Sequence, residues 1–343
     1  MFSVVDVRAG KLPQKTQNTR KNLFSLYFLC ISCLLWLFLL DGRNRLTIRP
    51  ATPADLPAIR RLWQENRHSF LTCGLEDVPG LLGKAGVAVG ALPGEGAGVW
   101  GFVAFDAPAP NAVAGSLADG ALRALVIGRS LPPGASAEGL IGQAIVAVAA
   151  AGQPFQLTAL PDESWLERLL IGQGFAVADH LYFYQRTRRN LPAATTGPAL
   201  FRPLRPDELT ALTALDAAAF PPLWRMTHAE LLELIFTCRV QAAEMDGELA
   251  GYAAISLHTA QERNDESQAQ LARLAVHPAW QGQGIGRQLL IESIAHAHAH
   301  GCYRISLNTP ESNPNAQRLY ESLHFRRHGA RRPVLVFKKK REA

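Results

Sequence analysis

Alternating and periodic apolar positions divide residues 200–340 into a short series of strands and helices. Two apolar runs, Val240–Met245 and Leu249–Leu257, flank Asp246-Gly247, a pair typical of a type I′ turn, and predict a β-hairpin. Further apolar runs predict strands over 270–276, 302–307 and 333–337. Helical spacing and capping residues predict helices over 207–219, 227–237, 287–300 and 314–323. Antiparallel strands followed by β-loop-α-β-α-β predict a mixed α/β sheet with helices on both faces.

The first half of the chain repeats landmarks of the second half. Arg49-Pro50 and Arg202-Pro203 each precede a helix, and we align Asp55 with Asp207. Near the ends of the halves, residues 168–175 align with residues 318–325, again at a separation of about 150 residues. Two tandem α/β domains of one fold explain this repeat. We expect them at residues 45–190 and 200–340, with a Pro- and Thr-rich linker at residues 191–199.

Composition fits this two-domain prediction and narrows the possible partners. The 343 residues are 48% hydrophobic and 19% charged, which is typical of globular proteins. The net charge of +6 suits an anionic ligand, but the basic residues are mostly scattered, so we expect no nucleic-acid partner. The five cysteines form an odd, scattered set that argues against a disulfide framework.

Residues 1–44 differ from the remainder of the chain. A basic leader precedes residues 23–40, an uncharged apolar run just long enough to span a membrane. Two interpretations stay open, a genuine membrane anchor and a spurious extension upstream of a domain that starts at Leu46. We expect a cytoplasmic protein, tethered to a membrane only if residues 23–40 are a genuine span.

A glycine-rich loop at residues 280–286 is the strongest chemical signal. Gly282, Gly284 and Gly286 precede a predicted helix that opens with Arg287. The start of a helix presents unpaired N–H groups and the positive end of the helix dipole, so this loop is a site for a phosphate or pyrophosphate. It is not a P-loop, because Gly-Arg-Gln stands where that motif needs Gly-Lys-Ser/Thr.

Two motifs in this half resemble those of the GNAT superfamily of N-acyltransferases. Gln281–Gly286 is similar to the signature Q/R-x-x-G-x-G/A, and Asn313–Tyr320 is similar to the element N-x-x-A-x-x-L-Y. His324-Phe325 departs from the G-F that usually follows. The resemblance implies two tandem GNAT-like domains, each with a mixed, mostly antiparallel central sheet flanked by helices. It also implies direct transfer of an acyl group, with acetyl-CoA as the expected donor, to a primary amine on a small molecule or a protein, without a metal.

The same resemblance implies roles for individual residues. The loop amides would bind the pyrophosphate of coenzyme A, the preceding strand would pair with its pantetheine arm, and Asn313 would contact that arm. Tyr320 would be the general acid toward the leaving thiolate. Glu266 and Glu244 are the candidates for a general base. The expected cofactor-binding residues are Leu274, Ala275, Val276, Gln281, Gly282, Gln283, Gly284, Ile285, Gly286, Arg287 and Asn313.

The first half lacks these chemical features although it keeps the landmarks. An ungapped alignment runs from Leu122 opposite Leu271 to Gly152 opposite Gly301. In it, Ala135 stands opposite Gly284, Ala137 opposite Gly286 and Glu138 opposite Arg287. In the alignment near the ends of the halves, Leu170 stands opposite Tyr320. We therefore expect a degenerate copy that keeps the fold without catalysis. The alternative function for the whole chain is a non-catalytic acyl-CoA-binding regulator, against which the presence of Tyr320 argues.

Overall fold

The computed structural model describes residues 47–65, 68–92, 98–106, 117–128, 133–193, 197, 199–258 and 267–339. The leader, the apolar run at residues 23–40 and Glu266 lie outside the described residues. Within those ranges, no helix combines the length and the apolar character that a membrane crossing requires.

The first half alternates strands and helices. Its elements are β1 (Thr47–Pro50), α1 (Leu56–Glu65), β2 (His68–Leu71), α2 (Val78–Leu81), β3 (Val87–Ala91), β4 (Val99–Phe105), β5 (Ala118–Ile127), α3 (Pro133–Ala149), β6 (Phe155–Ala159), α4 (Ser164–Gly172) and β7 (Ala176–Arg186).

The second half follows a similar order, except that no described strand stands between its first two helices, where the first half has β2, and that it has one additional short strand near its end. Its elements are β8 (Leu200–Pro203), α5 (Leu209–Ala219), α6 (His228–Thr237), β9 (Arg239–Met245), β10 (Glu248–His258), β11 (Gln268–Val276), α7 (Ile285–Ala299), β12 (Arg304–Pro310), α8 (Pro314–Ser322), β13 (Arg326–Arg327) and β14 (Arg332–Lys339). Short 3-10 helices precede α1 and α5, and two more lie at Pro222–Trp224 and Pro278–Trp280.

The element order predicted for the second half is confirmed, and the differences lie at the element ends. Asp246 and Gly247 have φ of 53° and 84°, as a type I′ turn requires. Helix α7 begins at Ile285 rather than at Arg287, so Gly284 is its N-cap residue. Strand β12 begins at Arg304, later than the predicted residue 302, and extends to Pro310.

Each half opens with an arginine clamped to a carboxylate at the start of the following helix. Arg49 donates to both oxygens of Asp55 at 2.8 and 2.6 Å, and Arg202 donates to both oxygens of Glu208 at 2.8 and 2.7 Å. The counterpart of Asp55 is therefore Glu208, and the alignment with Asp207 is wrong. The Asp207 side chain is 82% exposed, because it points away from the clamp.

The two halves share one continuous sheet of 14 strands, which the local sequence pattern does not reveal. Along the main path the strand order is β1-β3-β4-β5-β6-β14-β7-β12-β11-β10-β9-β8. The other two strands, β2 and β13, pair with β5 and β7. Strand β7 of the first half lies beside β12 of the second, and β14 of the second half lies beside β6 of the first. Each half thus completes the sheet of the other. Leu335 accordingly packs in the first-half core and Tyr184 in the second-half core.

Candidate active site

A wedge between two parallel strands forms a cleft in the second half. Strands β11 and β12 pair only through residues 268–270 and 304–306 and then diverge. The gap opens from Leu271 toward the glycine-rich loop and forms a cleft of about 710 Å³. Leu274, Val276, Tyr320 and most of the glycine-rich loop line it. The parallel pairing is thus interrupted at the point where an extended ligand can lie against the edge of β11.

The open edge of β11 presents the backbone of alternate residues to this cleft. On its other edge β11 pairs antiparallel with β10, and the His277 N–H donates to the Ala250 carbonyl at 2.8 Å. Backbone groups of alternate residues turn toward the same neighbour in an antiparallel ladder. Ala275 therefore turns toward β10, whereas Leu274 and Val276 turn their N–H and C=O groups toward the cleft.

The glycine-rich loop delivers the start of helix α7 to one end of the cleft. Gly284 has φ of 84°, a left-handed conformation that side-chain-bearing residues rarely adopt, and it directly precedes the first helical residue, Ile285. The Gln281 side chain donates to the Val276 carbonyl at 3.0 Å and ties the loop to the end of β11. The Arg287 guanidinium donates to the Ser322 hydroxyl at 3.1 Å and adds positive charge beside the loop. This end of the cleft suits a phosphate group.

Tyr320 lies on α8 in the cleft wall and is 6% exposed. Burial raises the pKa of its phenol to about 12, and the positive charge of Arg273 opposes that shift. A phenol with this pKa keeps its proton at neutral pH, as a general acid must. Asn313 also lines the cleft, but its side-chain oxygen accepts the Ala316 N–H at 3.1 Å and so caps α8.

The structure brings most, but not all, of the predicted site residues together. Leu274, Val276, Gln281, Gly282, Gly284, Ile285, Gly286, Arg287, Asn313 and Tyr320 line one cleft. Ala275 is buried behind the wall, and Gln283 is not among the lining residues. Glu244 lies on β9, away from the cleft, with its carboxylate bound to Arg202 at 2.8 Å. The structure therefore offers no geometric support for Glu244 as a general base.

Sequence reasoning missed several parts of the cleft wall, two of which depend on contacts between residues far apart along the chain. Leu181 comes from β7 of the first half and reaches the cleft because β7 pairs with β12. No local sequence signal could have indicated this, since the pairing joins residues far apart along the chain. The second part is Arg273. The alternation along β11 could have predicted that its side chain faces the cleft, but it could not have predicted the ion pair with Asp216.

The loop from β12 to α8 is also held by β7. The Glu311 carboxylate accepts the Tyr182 hydroxyl at 2.5 Å and lies 3.1 Å from His180 Nδ1. Arg331 donates to both oxygens of Glu311 at 3.0 and 2.9 Å. Because Glu311 lies between Pro310 and Asn313, both of which line the cleft, the first half helps to position the cleft wall.

In the first half a strand covers the corresponding open edge. Strands β5 and β6 pair in parallel through residues 118–121 and 155–158 and then diverge, as β11 and β12 do. Strand β2 pairs antiparallel with the edge that this divergence exposes, with Phe70 opposite Leu125 and Leu71 opposite Ala124. The Thr72 N–H continues this pairing by donating to the Arg123 carbonyl at 2.8 Å.

The described residues include no group of three or more His, Cys, Asp or Glu side chains arranged to hold a metal ion. His296 and His300 do share a helix face, with ring centroids 4.3 Å apart.

Comparisons with known proteins agree with this geometry. The sequence profile of the Acetyltransferase (GNAT) family matches residues 209–325. The mycothiol acetyltransferase of Thermobispora bispora is 31% identical over 212 residues, which cover 57% of this chain and 70% of the relative. A putative ribosomal protein bS18-alanine N-acetyltransferase of Bacillus subtilis is 27% identical over 136 residues, covering 39% of this chain and 85% of the relative.

A solved structure extends the likeness to both halves. A tandem GNAT protein from the clavulanic acid biosynthesis pathway matches 86% of this chain and 98% of its own, with a TM-score of 0.56. Its sequence identity of 15% limits this likeness to the fold. Together with the profile match and the extent of the likeness to the Thermobispora bispora relative, these findings show that the chain belongs to the GNAT family and is an N-acetyltransferase.

Proposed function

We propose that the second half transfers the acetyl group of acetyl-CoA directly to a primary amine. The observation that carries this proposal is the wedge between β11 and β12, which has a glycine-rich loop and the start of a helix at one end and Tyr320 in its wall. A cleft of about 710 Å³ is large enough for the extended arm of such a donor.

The N–H groups at the start of α7 and the Arg287 guanidinium bind the pyrophosphate. The pantetheine arm then lies along the open edge of β11 and pairs with the backbone of Leu274 and Val276. Acetyl-CoA is thereby oriented with its thioester toward the middle of β11, close to Tyr320. Proximity and orientation of this kind account for a large share of the rate in a reaction with two substrates.

The chemistry requires one bond to form and one to break. The amine nitrogen bonds to the thioester carbonyl carbon, and N–H groups at the open edge of β11 stabilise the resulting oxyanion. The C–S bond then breaks, Tyr320 donates its proton to the leaving thiolate, and the amine proton passes to a base or directly to solvent, from which Tyr320 regains a proton. Glu266 remains the candidate for a base that would accept this proton.

The proposal is tested by calorimetric titration of the full-length chain with acetyl-CoA. We expect micromolar binding that a Gly284→Glu/Arg287→Glu variant loses, because new carboxylates at the helix start repel the pyrophosphate. Arg168→Glu/Gly172→Glu is the control matched for charge, since Arg168 and Gly172 are exposed residues of the first half and a side chain at Gly172 meets no atom within 4 Å. Equal binding by all three proteins would contradict the proposed cofactor site. Loss of turnover without loss of binding in Tyr320→Phe would exclude the alternative of a non-catalytic regulator.

We further infer that residues 45–190 are a degenerate copy and that residues 200–340 carry the reaction, joined by residues 191–199. Strand β2 supports this inference, because it occupies the edge where a pantetheine arm would have to pair. The same titration should give one acetyl-CoA per chain. Restoring the lost loop residues with Ala135→Gly, Ala137→Gly and Glu138→Arg should not add a second site, because β2 still covers the edge. A stoichiometry of two in the wild type would overturn this division of roles.

A further inference from the structure

A largely buried ion pair contributes to one wall of the second-half cleft. Arg273, on β11, donates to both oxygens of Asp216, on α5, at 2.9 and 2.8 Å. The Asp216 side chain is fully buried and that of Arg273 is 14% exposed. Two parallel hydrogen bonds between a planar guanidinium and a carboxylate fix the relative orientation of both groups.

The same two side chains also hold the segment that follows α5. Asp216 accepts the Met226 N–H at 2.9 Å and the Tyr252 hydroxyl at 2.6 Å. Arg273 donates to the Trp224 carbonyl at 2.6 Å, and its guanidinium lies 3.6 Å from the centre of the Phe220 ring. The ion pair therefore contacts the segment 220–226 at its start, its middle and its end.

This segment forms part of the cleft surface. Phe220 and Trp224 both line the cleft, together with Arg273 itself. Both residues contact Arg273, which precedes Val276 by three residues, or about 10 Å of strand. Because the glycine-rich loop is tied to Val276 through Gln281, Phe220 and Trp224 lie toward the part of the cleft away from that loop. The segment includes a short 3-10 helix and two adjacent prolines, and the ion pair fixes where it lies against β11.

Among the described residues of the first half, no ion pair matches this one in position. In the alignment of the halves, Ala124 stands opposite Arg273, and it packs fully buried beneath the pairing of β2 with β5. The ion pair thus occurs in the half that retains the glycine-rich loop and Tyr320, and not at the matching position of the half that lacks them.

We propose that Arg273 is a positioning residue for the acceptor amine, holding Phe220 and Trp224 as the apolar wall against which the acceptor packs. This inference rests on the proposed acetyl transfer. Arg273 acts through the segment that it holds, not by contact with the reacting atoms. Lysine cannot replace it, because an ammonium group lacks the planar fork needed to bind a carboxylate, a carbonyl and a ring together.

The test compares Arg273→Met and Arg273→Lys with the wild type in full-length protein. The probe is whichever of L-alaninamide, L-leucinamide and n-butylamine the wild type acetylates fastest. Both variants should raise the KM for this amine at least tenfold while changing the calorimetric Kd for acetyl-CoA less than threefold. Arg202→Met is the matched control, because Arg202 also makes two ion pairs but lies away from the cleft. Its KM for the amine should stay within twofold of the wild type.

The outcomes separate the two proposals. An active wild type with an unchanged amine KM in Arg273→Met overturns the positioning role alone. An equal rise in amine KM in Arg202→Met also overturns it, because the effect would then follow from general destabilisation. A wild type that acetylates none of the three amines counts against the proposed reaction and removes the Arg273 role with it.

Discussion

Gly284 and Gly286 should respond in opposite ways to the same substitution by alanine. Gly284 has φ of 84°, and a Cβ built there meets no atom within 4 Å, so the penalty for Gly284→Ala is backbone strain rather than a clash. Left-handed backbone costs a side-chain-bearing residue about 1–2 kcal/mol. Gly286 lies inside α7, and a Cβ there would be 3.5 Å from Val276 and 3.7 Å from Leu319, which are ordinary contacts.

These geometries translate into different affinities for acetyl-CoA. If the loop of Gly284→Ala leaves the left-handed conformation to relieve strain, its N–H groups turn away from the pyrophosphate. Each hydrogen bond to a charged group contributes about 1.5–3 kcal/mol, so losing one should weaken binding by roughly 10- to 100-fold. Gly286→Ala should bind within a few-fold of the wild type and should be more stable, because alanine favours a helix by about 1 kcal/mol over glycine.

Calorimetric titration with acetyl-CoA and urea unfolding of both variants measure the two effects separately. The unfolding free energy should fall in Gly284→Ala and rise in Gly286→Ala. Wild-type affinity in Gly284→Ala, at unchanged stability, would refute the argument that the left-handed N-cap residue sets the direction of the loop amides. Loss of binding in Gly286→Ala alone would mean that a close approach of the cofactor to Gly286, and not backbone strain at Gly284, limits which residues the loop accepts.

Three further predictions concern the general acid, acid stability and the contribution of β7. Tyr320→Phe should lower kcat by roughly 10²- to 10⁴-fold with acetyl-CoA affinity within twofold. Because the pKa of Tyr320 is about 12, deprotonation of its phenol should cause no fall in the wild-type rate up to roughly pH 10. The hydrogen bonds from Arg202 lower the pKa of Glu208 from 4.5 to about 2, so this stabilisation is complete above pH 4.5 and is lost as the pH falls toward 2. The unfolding free energy measured in urea should therefore be higher for the wild type than for Arg202→Met, by a difference that shrinks as the pH falls over that range. A constant difference would contradict the link between the Glu208 pKa and stability. Tyr182→Phe removes the hydroxyl that Glu311 accepts and should weaken acetyl-CoA binding several-fold by calorimetry, whereas unchanged binding would show that β7 does not position the loop.

Local rules of chain conformation were sufficient for the element order and for the glycine-rich loop. The Asp246-Gly247 turn, the apolar runs of the strands and the glycines before α7 each act over a few residues, so the sequence predicts them directly. The same local rules failed at the ends of elements. Helix α7 starts at Ile285 because Gly284 itself takes the N-cap position, and the clamp on Arg202 selects Glu208 over Asp207 by side-chain reach.

The sequence by itself determined the family resemblance, the repeat and most residues of the cleft, because motif and spacing carry that information. Only the tertiary structure decided what surrounds them. The exchange of β7 and β14, the strand β2 on the first-half edge and the ion pair of Arg273 with Asp216 all join residues distant along the chain. Periodicity shows which face of an element is buried but not which partner buries it, so such contacts are settled only when the whole sheet assembles.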